Sequence, residues 1–211
     1  DYPGTLLDVR HRISDDEHEV ERALGHGLPP GDDGALRVQR TGGALPVEPP
    51  YVVVHPGASV PARAWAPERN AALVEALAET GRTVVVTGAP AERALTAQVA
   101  GDHGIDLGGA TDLAGLAGVL AAASAVVVGN TGPAHLAAAV GTPVVSLFAP
   151  TVPAVRWRPW RVPQELLFVD VPCAGCRARV CPVEGHPCLG GVEVADVVAA
   201  VDRLAPVEVA A

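Results

Sequence analysis

The chain has 211 residues and a formal net charge of −9, with 49% hydrophobic and 18% charged residues. This is the composition of a globular protein with enough apolar surface for a sizeable core. Binding to nucleic-acid phosphates requires clustered Lys and Arg, so this acidic balance argues against a general nucleic-acid partner. No stretch of about 20 apolar residues is free of polar interruption, so we expect no transmembrane helix.

The first 50 residues are polar and irregular. The chain begins with Asp1 and contains no Met, so we interpret it as a processed chain, a fragment or an excised domain. No apolar run near Asp1 has the form of a signal peptide. The residues Ser14 to Glu17 resemble a helix N-cap region, which predicts a short helix ending near Leu24. Loops are predicted at 25–33 and 41–50.

From Tyr51 onward, short apolar strands alternate with helices. The predicted strands are 51–54, 83–87, 105–107, 125–129, 144–148 and 166–169, and the predicted helices are 67–80, 91–100, 112–122, 133–140 and 192–204. This alternation indicates βαβ units, and uniformly apolar strands indicate a sheet covered on both faces. We therefore predict an α/β fold with a Rossmann-like, mostly parallel sheet and helices on both faces. Ligands of such sheets bind beyond the carboxyl ends of the strands.

The clearest functional signal is the junction between the strand at 125–129 and the helix after it. The residues there are Gly129, Asn130, Thr131, Gly132 and Pro133. The first N–H groups of a helix lack internal partners and the helix dipole adds positive charge, so such a junction can bind an anion. Gly132 lets a phosphate approach the backbone, Thr131 offers a hydroxyl, and His135 lies in the first turn. An ordinary capped helix would show the same pattern.

Two more loops carry polar residues after predicted strands. The segment 55–59 follows the first strand and offers Ser59, and it leads to Arg63, whose guanidinium can bind a diphosphate in fork geometry. Glu92 follows the second strand, where a carboxylate can accept hydrogen bonds from ribose hydroxyls. The alternatives are a surface charge for Arg63, a packing role for Trp65, and a helix N-terminal role for Glu92.

A cluster of thiols lies near the carboxyl end of the chain. Cys173, Cys176, Cys181 and Cys188 fall within 16 residues, with His186 among them. Four sulfurs this close indicate a structural Zn²⁺ site, clustered thiols or two short disulfides, and the spacing does not decide between them.

Positive charge is concentrated in one part of the chain. The residues concerned are Arg156, Arg158, Arg161, Arg177 and Arg179. Charge runs are usually solvated loop faces, and the functional alternative is a rim that attracts an anionic ligand.

Taken together, these motifs resemble glycosyltransferase family 9, the family of the ADP-heptose–lipopolysaccharide heptosyltransferases. The resemblance rests on the segments 129–139, 141–143 and 147–151, on 55–59, on Arg63-x-Trp65, on 88–92, and on the Cys-x-x-Cys…His-Pro-Cys segment. It covers about 51–204 with the motifs in the same order, and this joint occurrence is more specific than any single motif.

The resemblance implies the GT-B fold, in which two Rossmann-like domains face each other across a cleft and the carboxy-terminal one binds the donor. On this basis 51–211 is expected to be the donor-binding domain, with a cysteine knuckle at 173–188. Residues 1–50 are expected to be a remnant of the amino-terminal domain and the interdomain connector. By position, the donor-binding residues are expected to be Ser59, Arg63, Glu92, Asn130, Thr131, Gly132, Pro133 and His135.

The resemblance also implies a reaction, the transfer of a sugar from a nucleoside-diphosphate-sugar, with an ADP-sugar favoured, to the hydroxyl of a glycan, lipid or small-molecule acceptor. Family members invert the anomeric centre, using a base of the amino-terminal domain to deprotonate the acceptor. No catalytic base is therefore expected in this chain, while His135 and Arg63 are expected to stabilise the leaving diphosphate. We expect a glycosyltransferase that is inactive as this chain alone, in the cytoplasm at the inner face of the membrane.

One position departs from the family pattern. Asn130 stands where the family usually has Asp close to the donor, which removes a carboxylate that could hold a divalent cation on the diphosphate. The change favours an alternative function as a non-catalytic nucleotide- or partner-binding module. A domain like that of the sugar-nucleotide epimerases is a further alternative. No cofactor is expected to be essential, and the candidate metals are Zn²⁺ at the cysteines and a divalent cation with the donor.

Overall fold

The computed structural model describes residues 14–25, 31–38 and 47–207. The predicted loop at 25–33 and the predicted linker at 41–50 lie partly outside these residues. Among the described residues, no helix is long and apolar enough to cross a membrane.

Six parallel strands form one sheet. They are Val52–His55 (β1), Val84–Gly88 (β2), Ile105–Gly108 (β3), Ala125–Gly129 (β4), Val144–Leu147 (β5) and Gln164–Leu167 (β6). Their order across the sheet is β3-β2-β1-β4-β5-β6. After β1 the chain adds β2 and β3 on one side of β1, and it then adds β4, β5 and β6 on the other side. This reversal between β1 and β4 is the place where parallel sheets of this kind bind ligands.

The described helices mostly connect the strands. They are Glu19–Leu24 (α1), Pro67–Glu79 (α2), Arg93–Ala100 (α3), Leu113–Ala122 (α4), Gly132–Ala139 (α5), Ala154–Trp157 (α6), Pro187–Gly190 (α7) and Val194–Leu204 (α8). Short 3-10 turns at Pro61–Arg63 and Pro90–Glu92 follow β1 and β2.

Two apolar layers hold the helices to the sheet. On one face, Val54, Val86 and Val145 pack with Leu73 of α2 and Val201 of α8. The other face carries Val53, Val85 and Val126, which pack with Leu120 of α4 and Ala137 of α5. Every residue of β1, β2, β4 and β5 is buried. The predicted Rossmann-like sheet with helices on both faces is therefore confirmed.

Three details of the predicted elements were wrong. The last strand is Gln164–Leu167 rather than 166–169, because β6 is a half-buried outer strand that accepts polar residues at its start. The four-residue helices α6 and α7 were missed, since they are too short to show a helical period. Helix α5 begins at Gly132 rather than Pro133.

The cap of α1 is also displaced from the predicted Ser14–Glu17 region. His18 is the N-cap, where its Nδ1 accepts a hydrogen bond from the Val20 N–H at 3.1 Å. The Glu21 carboxylate accepts one from the His18 N–H at 3.2 Å, which completes a capping box. His is uncommon as an N-cap residue, whereas Ser and Asp are preferred. The Ser and Asp residues at 14–16 therefore led to a predicted cap that lies too early in the chain.

The segments that precede the sheet in sequence dock on the loop after β5. His18 stacks on Trp160 with ring centroids 4.4 Å apart, and Arg156 Nε donates to Glu19 Oε1 at 2.6 Å. Trp160 Nε1 donates to the Gly34 carbonyl at 2.9 Å. The segments 14–25 and 31–38, which belong to the region predicted to be the amino-terminal remnant and interdomain connector, therefore pack against the loop 151–161.

Candidate functional site

A cleft of about 520 Å³ lies at the carboxyl ends of the central strands, on the side where the strand order reverses. Its lining comes from the ends of β1, β2 and β4 and from the start of α4: His55, Gly57, Ala58, Ser59, Gly88, Ala89, Pro90, Glu92, Thr111, Asp112, Leu113, Leu116, Thr131, Gly132 and Pro133. Of the predicted donor-binding residues, the cleft brings together Ser59, Glu92, Thr131, Gly132 and Pro133.

The amino-terminal end of α5 opens into this cleft. Thr131 is its N-cap residue, but the Thr131 side chain does not cap the helix and instead contacts the Gly129 carbonyl at 3.4 Å. Gly132 is exposed and nothing lies within 4 Å of the place where a Cβ would stand. Pro133 has no N–H and the Ala134 N–H donates to the Thr131 carbonyl at 3.1 Å. The Gly132 N–H, which has no backbone partner among the described residues, and the helix dipole therefore face open space that an anion can enter.

Glu92 is held in place at the opposite side of the cleft. Its Oε2 accepts a hydrogen bond from the Ala89 N–H at 2.7 Å. The carboxylate lies so close to Gly57 that a Cβ there would be 2.2 Å from Glu92 Oε1. Glu92 thus serves the helix start, as the structural interpretation expected, and also presents a fixed carboxylate to the cleft.

Arg63 is not among the lining residues of the cleft but lies next to Asn130, which precedes the lining residue Thr131. Its Nε contacts Thr151 Oγ1 at 3.4 Å and its Nη1 contacts the Asn130 carbonyl at 3.5 Å. Both distances are at the long end for hydrogen bonds, so the guanidinium keeps donor capacity for another acceptor. Nearby Trp65 is 4% exposed and donates to the Leu189 carbonyl at 3.1 Å, which agrees with its packing interpretation.

The Asn130 side chain points away from the cleft. Its Nδ2 donates to the Ala149 carbonyl at 3.0 Å and its Oδ1 accepts from the Ala149 N–H at 3.1 Å. Asn130 is 5% exposed. The amide therefore links the end of β4 to Ala149 through hydrogen bonds to both the N–H and the carbonyl of that residue. A carboxylate could accept from the N–H but has no proton to donate to the carbonyl.

Replacing Asn130 with Asp is expected to lower the free energy of unfolding at pH 7 by about 1–2 kcal/mol. The introduced carboxylate can accept from the Ala149 N–H but cannot donate to the Ala149 carbonyl. The loss should shrink in acid, where the carboxyl group is protonated and can donate again. Urea unfolding of both proteins at pH 7 and pH 4.5 measures this, and an equal loss at both values would contradict it.

Two histidines lie in or next to the cleft: His55 is part of its lining, and His135 lines the groove that adjoins it. His55 ends β1 and its Nδ1 lies 2.9 Å from Thr87 Oγ1. Burial lowers the pKa of His55, partly offset by the nearby Glu92 charge. Burial also lowers the pKa of His135, and the electrostatic effect of the nearby His18 lowers it further. Both rings therefore favour the neutral form in the folded protein.

Acidification below about pH 6.5, the ordinary His pKa, is expected to destabilise the fold. A folded-state pKa below the unfolded value means that the unfolded chain binds protons first, so stability falls as pH drops through that window. The variant His135→Asn should show a smaller decrease between pH 7.5 and 5.5. Thermal unfolding across this range measures it, and a slope equal to that of the unmodified protein would argue against it.

Sequence reasoning missed the contribution of α4. Thr111, Asp112, Leu113 and Leu116 line the cleft, and Leu113 is 69% exposed. The segment follows β3, so the rule that ligands bind beyond the carboxyl ends of strands applies to it as well. Leu113, Leu116 and Pro133 also border an adjoining apolar groove of about 450 Å³, which contains His135. His135 is therefore next to the cleft rather than in it.

The cysteine knuckle lies against the other side of the Arg63 loop. All four cysteines are free thiols. Together with His186 they line one apolar pocket of about 40 Å³. Burial raises the pKa of the Cys188 thiol, and the neighbouring Cys181 and Cys173 raise it further. Among the described residues, no three His, Cys, Asp or Glu side chains are arranged to hold a metal ion.

The arginines of the predicted rim are partly committed to internal contacts. Arg156 bonds to Glu19, and Arg161 Nη1 donates to the Asp33 carbonyl at 2.5 Å while its guanidinium lies over the Trp160 ring. Arg156 and Arg161 thus hold the segments that precede the sheet against the loop after β5, so both residues have a structural role.

Comparison with known proteins adds a family and a fold. Residues 30–186 match the family model described as glycosyltransferase family 9 (heptosyltransferase). Lipopolysaccharide heptosyltransferase 1 of Pseudomonas aeruginosa is 36% identical over 176 residues, which cover 78% of this chain and 49% of that protein. The chain spans about half the length of the curated relatives it matches.

Solved structures show the same fold. A glycosyl transferase family 9 protein from Veillonella parvula superposes with a TM-score of 0.74 at 17% identity, covering 92% of this chain and 62% of that one. The ADP-heptose lps heptosyltransferase II of E. coli gives 0.63 at 21% identity, covering 96% and 55%. The family model matches well over half of the chain. The chain therefore belongs to glycosyltransferase family 9.

Proposed function

We propose that this chain supplies the donor-binding half of a heptosyltransferase-like glycosyltransferase. Its substrate would be a nucleoside-diphosphate-sugar, with an ADP-sugar favoured because the names of similar solved structures mention ADP-heptose. The observation that carries the proposal is the cleft, which is lined by both the amino-terminal end of α5 and the carboxylate of Glu92. Arg63 lies next to this cleft, in contact with the Asn130 carbonyl. A helix N-terminus and a guanidinium suit the diphosphate, and a carboxylate suits the ribose.

The chemistry of the lining suggests how the donor lies. The diphosphate would occupy the space between Gly132 and Ser59, where N–H and hydroxyl donors converge. The ribose hydroxyls would donate to Glu92. The base would pack on Leu113 and Leu116, because these apolar side chains form the wall beside Glu92.

Catalysis by these residues would be electrostatic. During sugar transfer the bond between the anomeric carbon and the diphosphate breaks, and negative charge grows on the leaving diphosphate. The Gly132 N–H, the positive end of the α5 dipole and the Arg63 guanidinium would stabilise that charge. Neutral His135 could approach the same oxygens without the cost of burying a cation.

Deprotonation of the acceptor hydroxyl is assigned to a group outside this cleft. Its two carboxylates are Glu92 and Asp112, which accept bonds from the backbone N–H groups of Ala89 and Gly115 at 2.7 Å each. Both carboxylates are therefore already engaged by the backbone. Asn130 supplies no carboxylate and its amide is bonded to Ala149, so this position offers no ligand to a divalent cation on the diphosphate.

Replacing Glu92 with Gln is expected to weaken ADP binding about three- to tenfold, as one ribose hydrogen bond is weakened. Pyrophosphate binding should stay equal or become slightly tighter, because a nearby negative charge is removed. Titration calorimetry with both ligands measures the difference. Glu79→Gln, at the exposed end of α2, is the matched control and should bind both like the unmodified chain. A failure of the unmodified chain to bind any nucleoside diphosphate would contradict the proposed function.

A non-catalytic nucleotide-binding module is the second candidate function. The observation that favours it is Asn130, whose amide is fully used by Ala149 and presents no charge to a donor. Such a module would bind ADP and ADP-sugar equally well. A transferase site should bind the sugar nucleotide with additional contacts, so comparing the two affinities separates the candidates.

A further inference from the structure

The cysteine knuckle forms backbone hydrogen bonds to both loops that surround Arg63. The Gly175 N–H donates to the Pro150 carbonyl at 2.7 Å, and the Arg177 N–H donates to the Thr151 carbonyl at 3.0 Å. A third bond runs in the opposite sense, from the Ala62 N–H to the carbonyl of knuckle residue Arg179 at 3.0 Å. The knuckle is therefore connected to the loop after β5 and to the 3-10 turn after β1.

Those two loops hold Arg63 from either side. Ala62 immediately precedes Arg63 and is 2% exposed. Thr151, 4% exposed, provides the hydroxyl that Arg63 Nε contacts at 3.4 Å. The knuckle is thus hydrogen-bonded to Thr151, whose hydroxyl contacts the guanidinium, and to Ala62, the residue before Arg63.

The side-chain contacts of Arg63 are too long to fix it alone. At 3.4 Å and 3.5 Å they are weak hydrogen bonds, while a free Arg side chain has many rotamers to lose on ordering. The position of the guanidinium therefore depends on where the backbone of the two loops is held. The three knuckle bonds supply that constraint.

We infer that residues 175–179 of the knuckle are a positioning element for Arg63, keeping its guanidinium ready for the donor diphosphate. This inference rests on the proposed function. It gives the knuckle a part in donor binding although it lines a pocket separate from the cleft. The alternative is a knuckle that only stabilises the fold.

A double-mutant cycle between the knuckle and Arg63 separates these two roles. In Gly175→Pro the N–H donor to Pro150 is lost, and proline cannot adopt the φ of +80° found at Gly175. We expect this variant to bind ADP about three- to tenfold more weakly by calorimetry, consistent with the loss of a hydrogen bond. In an Arg63→Ala background the same substitution should cause no further loss, because the residue through which it acts is gone.

Gly185→Pro is the matched control. Gly185 also lies in the knuckle with a φ of +75°, and like Gly175 it has open space where a Cβ would stand. It takes no part in the three bonds to the loops, so its ADP affinity should match that of the unmodified chain. Should Gly175→Pro not fold, Gly175→Ala keeps the N–H, strains the same φ and can be measured in the same cycle.

Each result decides the question. An equal loss from Gly175→Pro in both backgrounds would show that the knuckle acts on the fold, and would overturn the inference while leaving donor binding intact. An unchanged affinity in the single variant would overturn it as well. If the unmodified chain binds no nucleoside diphosphate, both the proposed function and this inference fail.

Discussion

Replacing Arg63 with Ala is expected to lower the affinity for ADP about ten- to a hundredfold, the value of one or two hydrogen bonds to a charged group. Arg63 contacts the Thr151 hydroxyl and the Asn130 carbonyl at 3.4 and 3.5 Å. Neither partner is charged, so within 14–25, 31–38 and 47–207 no carboxylate pairs with the guanidinium in competition with an incoming diphosphate. Since these two contacts are weak, their loss should change the melting temperature little.

Titration calorimetry with ADP and AMP tests the role assigned to this residue. The loss should be larger for ADP, because AMP lacks the second phosphate. Arg203→Ala is the matched control, since Arg203 is exposed and bonds to Glu165 near the outer strand β6. If the Arg63→Ala variant binds ADP as tightly as the unmodified chain, Arg63 does not contribute to ADP binding.

The conservative variant Arg63→Lys distinguishes charge from geometry. Lysine keeps the positive charge but lacks the planar fork that can bond two oxygens at once. We expect an affinity between those of the unmodified chain and Arg63→Ala. An affinity equal to that of the unmodified chain would mean that Arg63 acts only as a point charge.

The sheet and its ligand-binding edge could be predicted because their signals are local. Val-rich runs such as 52–54 and 125–128 are buried on both faces, so they appear as continuous apolar segments between helices. The order of the strands was not predicted, yet the loops predicted to bind the ligand after β1, β2 and β4 do converge on one cleft. The residues after β3 were overlooked, although the same rule covers them.

Side-chain direction could not be predicted, because it depends on contacts between distant residues. Asn130 lies in the most informative motif, but its amide faces Ala149, 19 residues further along the chain. Arg156 was grouped with a cationic rim, but it bonds to Glu19, 137 residues away. A sequence pattern shows which polar residues follow a strand, whereas packing decides which of them face the ligand.

The largest structural effect is expected from replacing Gly129 with Ala. Gly129 ends β4, and a Cβ there would lie 2.6 Å from the Arg63 backbone carbonyl oxygen. A backbone group cannot rotate away as a flexible side chain can, so the end of β4 and the turn after β1 must separate. Forcing extra volume into such a contact costs about 1–3 kcal/mol of folding free energy, and sometimes more.

The same displacement should also impair binding. Arg63 moves with its carbonyl, and the end of α5 moves with Gly129, so the two proposed diphosphate contacts separate. We expect Gly129→Ala to melt at a lower temperature and, in the fraction that remains folded, to bind ADP at least tenfold more weakly, a change of about 1.4 kcal/mol. Arg63→Ala should weaken binding with little change in melting temperature, so comparing the two variants separates the close backbone contact from the guanidinium itself.

Gly132→Ala is the matched control for this experiment. Gly132 lies three residues further on, and nothing stands within 4 Å of its Cβ position. Its backbone has no positive φ that would strain an alanine, so its stability should equal that of the unmodified chain. The methyl group would, however, project into the space assigned to the diphosphate. Normal stability with weaker ADP binding would therefore place the ligand at the start of α5, whereas normal binding would move the diphosphate elsewhere in the cleft.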